Sequence, residues 1–214
     1  MLIGILGGTG KEGSALARRL AKAGHSILIG SRDAERARAK ALDLLPNGGA
    51  NVQGATNVEA AERSELAIVT VPFAGHRALL TELKTALASK LVIDTVVPMD
   101  LKAHHTYAPP PEGSAAEEAQ AVLGDRAKVV AALHQIAAHE LAHLDREIEA
   151  DGLFAGDDET AKQQVATLIR DLGIRPVDAG PLKNAAIIEA FTPLLVEINK
   201  RYKVKSSGIR ITGI

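Results

Sequence analysis

The strongest constraint on this chain is a six-residue stretch, Gly8-Thr9-Gly10-Lys11-Glu12-Gly13, which reads G-x-G-x-x-G. It follows at once on the apolar run Leu2 to Leu6 and leads into apolar residues at helical spacing over Ser14 to Ala23. Such a pattern carries little information alone, but a strand before it and a helix after it restrict what it can be. The first glycine permits a tight turn, the second lets a diphosphate approach the backbone, and the third lets helix and strand pack closely. Gly24 closes the helix, and a second apolar run, Ser26 to Ile29, stops at Gly30-Ser31. Strand, helix and strand of this length form a parallel βαβ unit.

The alternation continues. An Ala, Arg and Glu-rich helix is expected over Ala34 to Leu44, a loop over Pro46 to Gly49, a weak strand near Val52 and a strong one over Leu66 to Val71, ended by Pro72. A helix over His76 to Ala88 and a strand over Leu91 to Thr95 complete the pattern. The fold class is therefore α/β, a doubly wound Rossmann-type parallel sheet. Pro109, Pro110 and Pro111 interrupt the chain. Beyond them the pattern predicts a helix over Ser114 to Leu123, with Ser114 and Glu117 at capping-box spacing, and a buried strand over Lys128 to Leu133. A helix over Asp158 to Leu172, a strand over Arg175 to Asp178 and an apolar helix over Ala185 to Lys200, interrupted at Pro193, follow. We divide the chain into a nucleotide-binding domain, residues 1-126, and a small C-terminal α/β lobe, residues 127-214. The apolar last helix is expected to bury most of its surface under the sheet or in a homodimer.

Composition removes several functions. The 214 residues contain no cysteine, so there is no disulfide, thiolate nucleophile or iron–sulfur ligation, and redox chemistry needs a bound cofactor. Only 2% of residues are aromatic and the net charge is −1, which argues against a nucleic-acid partner. The longest apolar runs are too short to span a bilayer, and Met1 leads directly into a strand without a signal peptide, so a cytoplasmic protein is expected.

The end of the second strand discriminates between dinucleotides. Where an NAD site places Asp or Glu to accept from the ribose hydroxyls, this chain has Gly30-Ser31-Arg32, with Arg36 one helical turn beyond Arg32. A hydroxyl and two guanidiniums suit a 2′-phosphate, so NADP(H) is the expected cofactor. The competing reading is a solvated basic helix start, because Arg38 and Lys40 follow. On the carboxyl edge of the sheet, Val71, Pro72 and Phe73, then Val97 and Pro98, would line the nicotinamide side, with His134-Gln135-Ile136-Ala137-Ala138 as a floor of the cleft. His139-Glu140-Leu141-Ala142-His143 matches H-E-x-x-H, but no third ligand stands at the common spacings, so it reads as an accidental surface pattern and no metal is assigned. His104 and His105 read as loop histidines.

Taken together, Leu6-Gly7-Gly8-Thr9-Gly10, Ile29-Gly30-Ser31-Arg32, Thr70-Val71-Pro72, Leu133-His134-Gln135-Ile136, Asp178-Ala179-Gly180-Pro181-Leu182 and Gly208-Ile209-Arg210-Ile211-Thr212-Gly213 resemble the F420-dependent NADP reductase family. The likeness runs in order through the whole chain. It implies hydride transfer between NADP(H) and the 5-deazaflavin coenzyme F420 as co-substrate. By position, it implies that Thr9, Gly10, Lys11 and Glu12 hold the diphosphate and that Ser31, Arg32 and Arg36 hold the 2′-phosphate. Val71, Phe73, Val97 and Ala138 would line the nicotinamide pocket, while His134 and Ile136 meet the deazaflavin, His134 orienting the ring or stabilising its reduced form. Two further readings of the same residues are an NADPH-dependent reductase of a flavin, imine or ketone, and a non-catalytic NADP(H)-binding sensor.

Overall fold

The computed structural model describes residues 1–44, 51–100, 103 and 105–214; the loop expected over Pro46 to Gly49, and His104, lie outside the described residues. In chain order the first half comprises β1 (Leu2–Leu6), α1 (Lys11–Lys22), β2 (Ser26–Ser31), α2 (Ala34–Leu44), β3 (Val52–Thr56), α3 (Asn57–Arg63), β4 (Leu66–Val69), α4 (His76–Leu83), β5 (Leu91–Asp94) and a two-residue pair, β6 (Met99–Asp100) with β7 (Thr106–Tyr107). The second half comprises α5 (Ala115–Leu123), β8 (Lys128–Ala132), α6 (Ala138–Ala142), β9 (Asp151–Gly156), α7 (Glu159–Asp171), β10 (Arg175–Asp178) and α8 (Ala185–Tyr202).

Eight strands form one sheet in the order β10-β9-β8-β5-β4-β1-β2-β3. From β3 to β8 all neighbours are parallel, as the alternating strands and helices predict. β8 pairs with β5, so the strands on either side of position 126 hydrogen-bond within the same sheet. The parallel run ends there: β9 is antiparallel to β8, and β10 is parallel to β9. β9 is not predicted from the sequence, because Gly152 and Gly156 and an initial Asp151 mask a strand that is buried throughout. Those glycines answer to packing. A Cβ on Gly152 would lie 2.5 Å from Ile169 Cγ2 of α7.

Both faces of the sheet are covered, which explains the unbroken apolar runs. Ile3 and Ile5 of β1, Ile27 and Ile29 of β2, and Ile68 of β4 meet α1, α2 and α7 on one side. Leu6, Leu28, Ala67 and Val69 meet α3, α4 and α5 on the other. α3 is also absent from the sequence prediction, although its signal is present: Thr56 accepts from the Glu59 N–H at 3.1 Å, and Glu59 accepts from the Thr56 N–H at 2.9 Å, a complete capping box. α8 runs unbroken through Pro193. Anchoring on both sides of the proline, by buried Ile188 and Leu195, outweighs the one lost backbone bond. Within this chain it leaves Ile187 and Leu194 62% and 52% exposed.

Candidate active site

Strand order reverses at β1, which lies between β2 and β4, and a crevice opens beyond the carboxyl ends of these strands. The crevice is a cleft of about 730 Å³ lined by Thr9 to Glu12 from the first turn, Ser31, Arg32 and Arg36 after β2, and Thr70, Val71 and Pro72 after β4. Gly7 turns the chain at φ +75°, and the glycines after it fit close neighbours. A Cβ on Gly13 would stand 2.6 Å from Gly8 Cα and 2.7 Å from Thr70 Oγ1, which is why the helix can sit so near the strand. Gly10 faces the opposite situation. A Cβ there would meet nothing closer than 3.8 Å, and Gly10 caps α1 without a side chain, so the first-turn N–H groups open onto the cleft. A glycine cradle beside an uncapped helix start fits a diphosphate.

The cations of the basic stretch after β2 differ in their partners. Asp33 caps α2 by accepting from the N–H groups of Glu35 and Arg36 at 2.9 and 3.2 Å. Arg38 is paired with Glu35, and Lys40 with Asp43. Arg32 and Arg36 line the cleft and form no ion pair among the described residues. Two unneutralised guanidiniums beside buried Ser31 have the charge that a phosphate would need. Asn57 was not anticipated: at the start of α3, its Oδ1 accepts from the Gly7 N–H at 3.1 Å and so fixes the phosphate turn from behind.

A second hollow of about 190 Å³ is lined by Thr95, Val97, His134, Gln135, Ile136 and Ala138, and by Glu12 from the other side. Glu12 therefore borders both spaces. Burial, reinforced by the nearby Asp94 carboxylate and opposed by a hydrogen bond from Thr95, pushes its carboxyl up to about 7. Of the four residues expected together at the nicotinamide, Val71 lines the large cleft while Val97 and Ala138 line this hollow. Phe73 lines neither; its ring lies 6.0 Å from that of His76 and packs on the core.

Leu133 leaves β8 with φ +68°, which turns the chain sharply and aims His134 into the hollow. His134 is buried, and neither ring nitrogen has a hydrogen-bond partner. Burial pulls its pKa down to about 4, against the pull of Asp94 and the Val96 backbone, so the imidazole is neutral near pH 7. A buried polar ring with two unpaired nitrogens is costly unless a ligand completes it. Its backbone is held by the Thr192 hydroxyl of α8, which donates to the His134 carbonyl at 2.7 Å. Gln135 turns away and donates to the Asp151 carbonyl at 2.7 Å.

A third cleft of about 490 Å³ shares Gln135, Ile136 and Ala137 with the hollow and adds Glu140, Ser206 and Arg210. Its outer wall is the C-terminal segment, which Asp151 holds in place. The Asp151 carboxylate takes a two-pronged ion pair from Arg175, at 2.7 and 2.6 Å, and accepts from the Ile211 N–H at 2.6 Å. Behind the site, the ring of buried His76 bridges Asp94 at 2.7 Å and Glu118 at 2.8 Å.

A family model described as "NADP oxidoreductase coenzyme F420-dependent" matches residues 2–98. The F420-dependent NADP reductase of Methanothermobacter marburgensis is 40% identical over the whole of this chain and 99% of its own length. That of Methanocaldococcus jannaschii is also 40% identical, again over the whole chain and 99% of the relative. The chain belongs to the F420-dependent NADP reductase family. A crystal structure from Arthrobacter sp. FB24, assigned provisionally to such a reductase, superposes with a TM-score of 0.86 over 99% of both chains at 27% identity. The alignments extend over the C-terminal residues, where His134 and the tail lie.

Proposed function

We propose that this protein transfers a hydride between NADP(H) and coenzyme F420. The observation that carries this reading is the continuity of two spaces: a cleft with a glycine cradle and two unpaired guanidiniums meets, at Glu12, a hollow bounded by an unpartnered neutral imidazole. NADP(H), when bound, supplies the hydride from its nicotinamide ring. The chain's residues then have binding and positioning tasks. Gly8, Gly10 and Gly13 shape the turn, Thr9, Lys11 and Glu12 border the diphosphate, and Ser31, Arg32 and Arg36 hold the 2′-phosphate. Val71 and Pro72 lie on the nicotinamide side, with Phe73 packed behind them, and Val97 and Ala138 separate the two rings' environments. His134, neutral and unpaired, presents a hydrogen bond to the deazaflavin, and Ile136 packs against it. Excluding water and fixing two flat rings in contact is the main contribution such a site makes.

In this reading residues 1-126 hold NADP(H), and residues 127-214 complete the F420 site. The protein works in the cytoplasm as a homodimer joined through the exposed apolar face of α8 around Ile187 and Leu194. The test follows F420 absorbance in a mixture of purified protein, NADPH and oxidised F420, with FMN and FAD as parallel acceptors. Bleaching of F420 alone is the expected result, and replacement of His134 by Ala is expected to slow it while leaving NADPH affinity unchanged. Turnover of FMN or FAD but not F420, or NADPH binding without turnover of any of the three, would overturn the assignment.

A further inference from the structure

The H-E-x-x-H segment takes no part in the proposed reaction, yet its side chains are arranged. His139 on α6 and His143, the residue that follows the helix, bring their Nε2 atoms to 3.3 Å, with ring planes at 67°. Two nitrogens bound at about 2.0–2.1 Å to one tetrahedral ion stand roughly 3.4 Å apart, so the pair already has the bite of a chelate. The other nitrogen of His139 is engaged as a metal-bound imidazole requires: Nδ1 donates to Glu140 Oε1 at 3.4 Å, which leaves the Nε2 lone pair facing His143. Glu140 accepts in turn from the Ser206 hydroxyl. It is thus a second partner behind the imidazole rather than a ligand.

The backbone that presents the two rings is held from beneath. The buried guanidinium of Arg19, on α1, donates to the carbonyls of Leu141 at 3.0 Å, His143 at 2.7 Å and Arg146 at 3.1 Å. It also reaches Leu172 at 2.6 Å, so α6 is tied to α1 and α7 together. A five-residue helix would fray by itself, but here its carbonyl end is fixed by a charge-assisted network. Both rings remain accessible at the surface.

We propose that His139 and His143 form a binding site for a divalent transition-metal ion, with Glu140 orienting His139. Among the described residues no third histidine or carboxylate joins the pair, so the remaining coordination positions belong to water. Imidazole pairs of this kind favour Cu²⁺ over Ni²⁺ and Zn²⁺ and have little affinity for Mg²⁺. Because Glu140 and Ser206 also line the cleft beside the C-terminal segment, an ion here stiffens one rim of that cleft.

The experiment is calorimetric titration of the full-length, tag-free protein with CuCl₂, NiCl₂, ZnCl₂ and MgCl₂ in turn. One saturable site per chain is expected for the first three ions, tightest for Cu²⁺, and none for Mg²⁺. His139→Ala and His143→Ala are each expected to weaken Cu²⁺ binding by at least about tenfold, and Glu140→Gln by about tenfold. Metal-free circular dichroism and NADPH titration of the two alanine variants should match the parent, which separates loss of the site from loss of the fold. Absence of saturable binding, Mg²⁺ binding comparable to Ni²⁺, or affinity left unchanged by either histidine replacement would overturn the proposal.

Discussion

At the scale of single residues, the cleft depends on a few charges whose neighbours do not neutralise them. Arg32 and Arg36 stand without carboxylate partners, while Arg38 and Lys40, two and four positions beyond Arg36, are paired within their own helix. Replacing Arg32 and Arg36 by Ala should weaken NADPH binding by about 1.5–3 kcal/mol each, roughly 10- to 150-fold, and leave NADH binding nearly unchanged, as measured by fluorescence titration. Equal losses for both nucleotides would remove these residues from the 2′-phosphate. Glu12 adds a pH dependence. Its carboxyl, raised to about 7 by burial, is mostly neutral below that value and charged above it. Ionisation puts a negative charge beside the expected diphosphate, so the NADPH dissociation constant should rise several-fold between pH 6 and pH 8, and Glu12→Gln should flatten the slope. The identity of these residues and their spacing were legible in the sequence, because glycine patterns and cations near a strand end have few other uses. The unpaired state of Arg32 and Arg36 was not, since Glu35 is adjacent to Arg36 in the chain and three positions from Arg38, with which it pairs.

At the scale of elements, two buried ionic contacts hold the parts of the site in register. His76 joins α4 to β5 through Asp94 and to α5 through Glu118. Burial alone would lower its pKa, but the two carboxylates hold the proton and the net result is a rise to about 8. A histidine raised in the folded state stabilises it fully below its unfolded value near 6.5 and loses that contribution as pH rises through about 8. Thermal unfolding should therefore occur at progressively lower temperature between pH 6.5 and 8.5, by a total of about 2 kcal/mol, and His76→Gln should remove the dependence. Asp151 makes the corresponding contact at the other end of the sheet. Arg175 first, and the Ile211 N–H after it, hold its carboxyl below the usual range, so the contact is intact above the ordinary aspartate pKa and is lost as pH falls through the lowered value. Asp151→Asn is expected to destabilise the protein by about 1.5–3 kcal/mol and to raise KM for F420 with no change in NADPH affinity. An unchanged KM would detach the C-terminal segment from the acceptor site. None of this was readable beforehand. β9 begins with Asp151, and an acid beside a glycine resembles a loop until its partner, 24 residues further on, is placed next to it.

At the scale of the whole molecule, one sheet carries both halves of the site. Its parallel part, β3 to β8, places the segments after β1, β2, β4, β5 and β8 at one edge, and the reversal at β9 turns the last two strands back so that α8 and the tail close the far side of the same edge. α8 then leaves Ile187 and Leu194 in solvent while Ile188 and Leu195, about 100° further round the helix, are buried. In the proposed homodimer a pair of such faces would meet across a two-fold axis, which would account for their exposure. Sedimentation equilibrium should give a dimer, and Ile187→Glu with Leu194→Glu should give a monomer that still binds NADPH. A monomeric parent protein would end that reading.

The sequence by itself determined the strand–turn–helix at the phosphate cradle, the parallel order of the first half and the basic residues at the end of β2, because each rests on local periodicity and on glycines within a few positions. Tertiary structure alone decided that Glu12 borders two spaces, that His134 is stripped of partners and that β9 runs backwards. It also decided that a histidine pair on a short helix is held at chelating distance by an arginine more than 100 residues earlier in the chain. These are outcomes of burial and long-range pairing, and burial sets proton affinity and hydrogen-bond satisfaction only once every neighbour has its place.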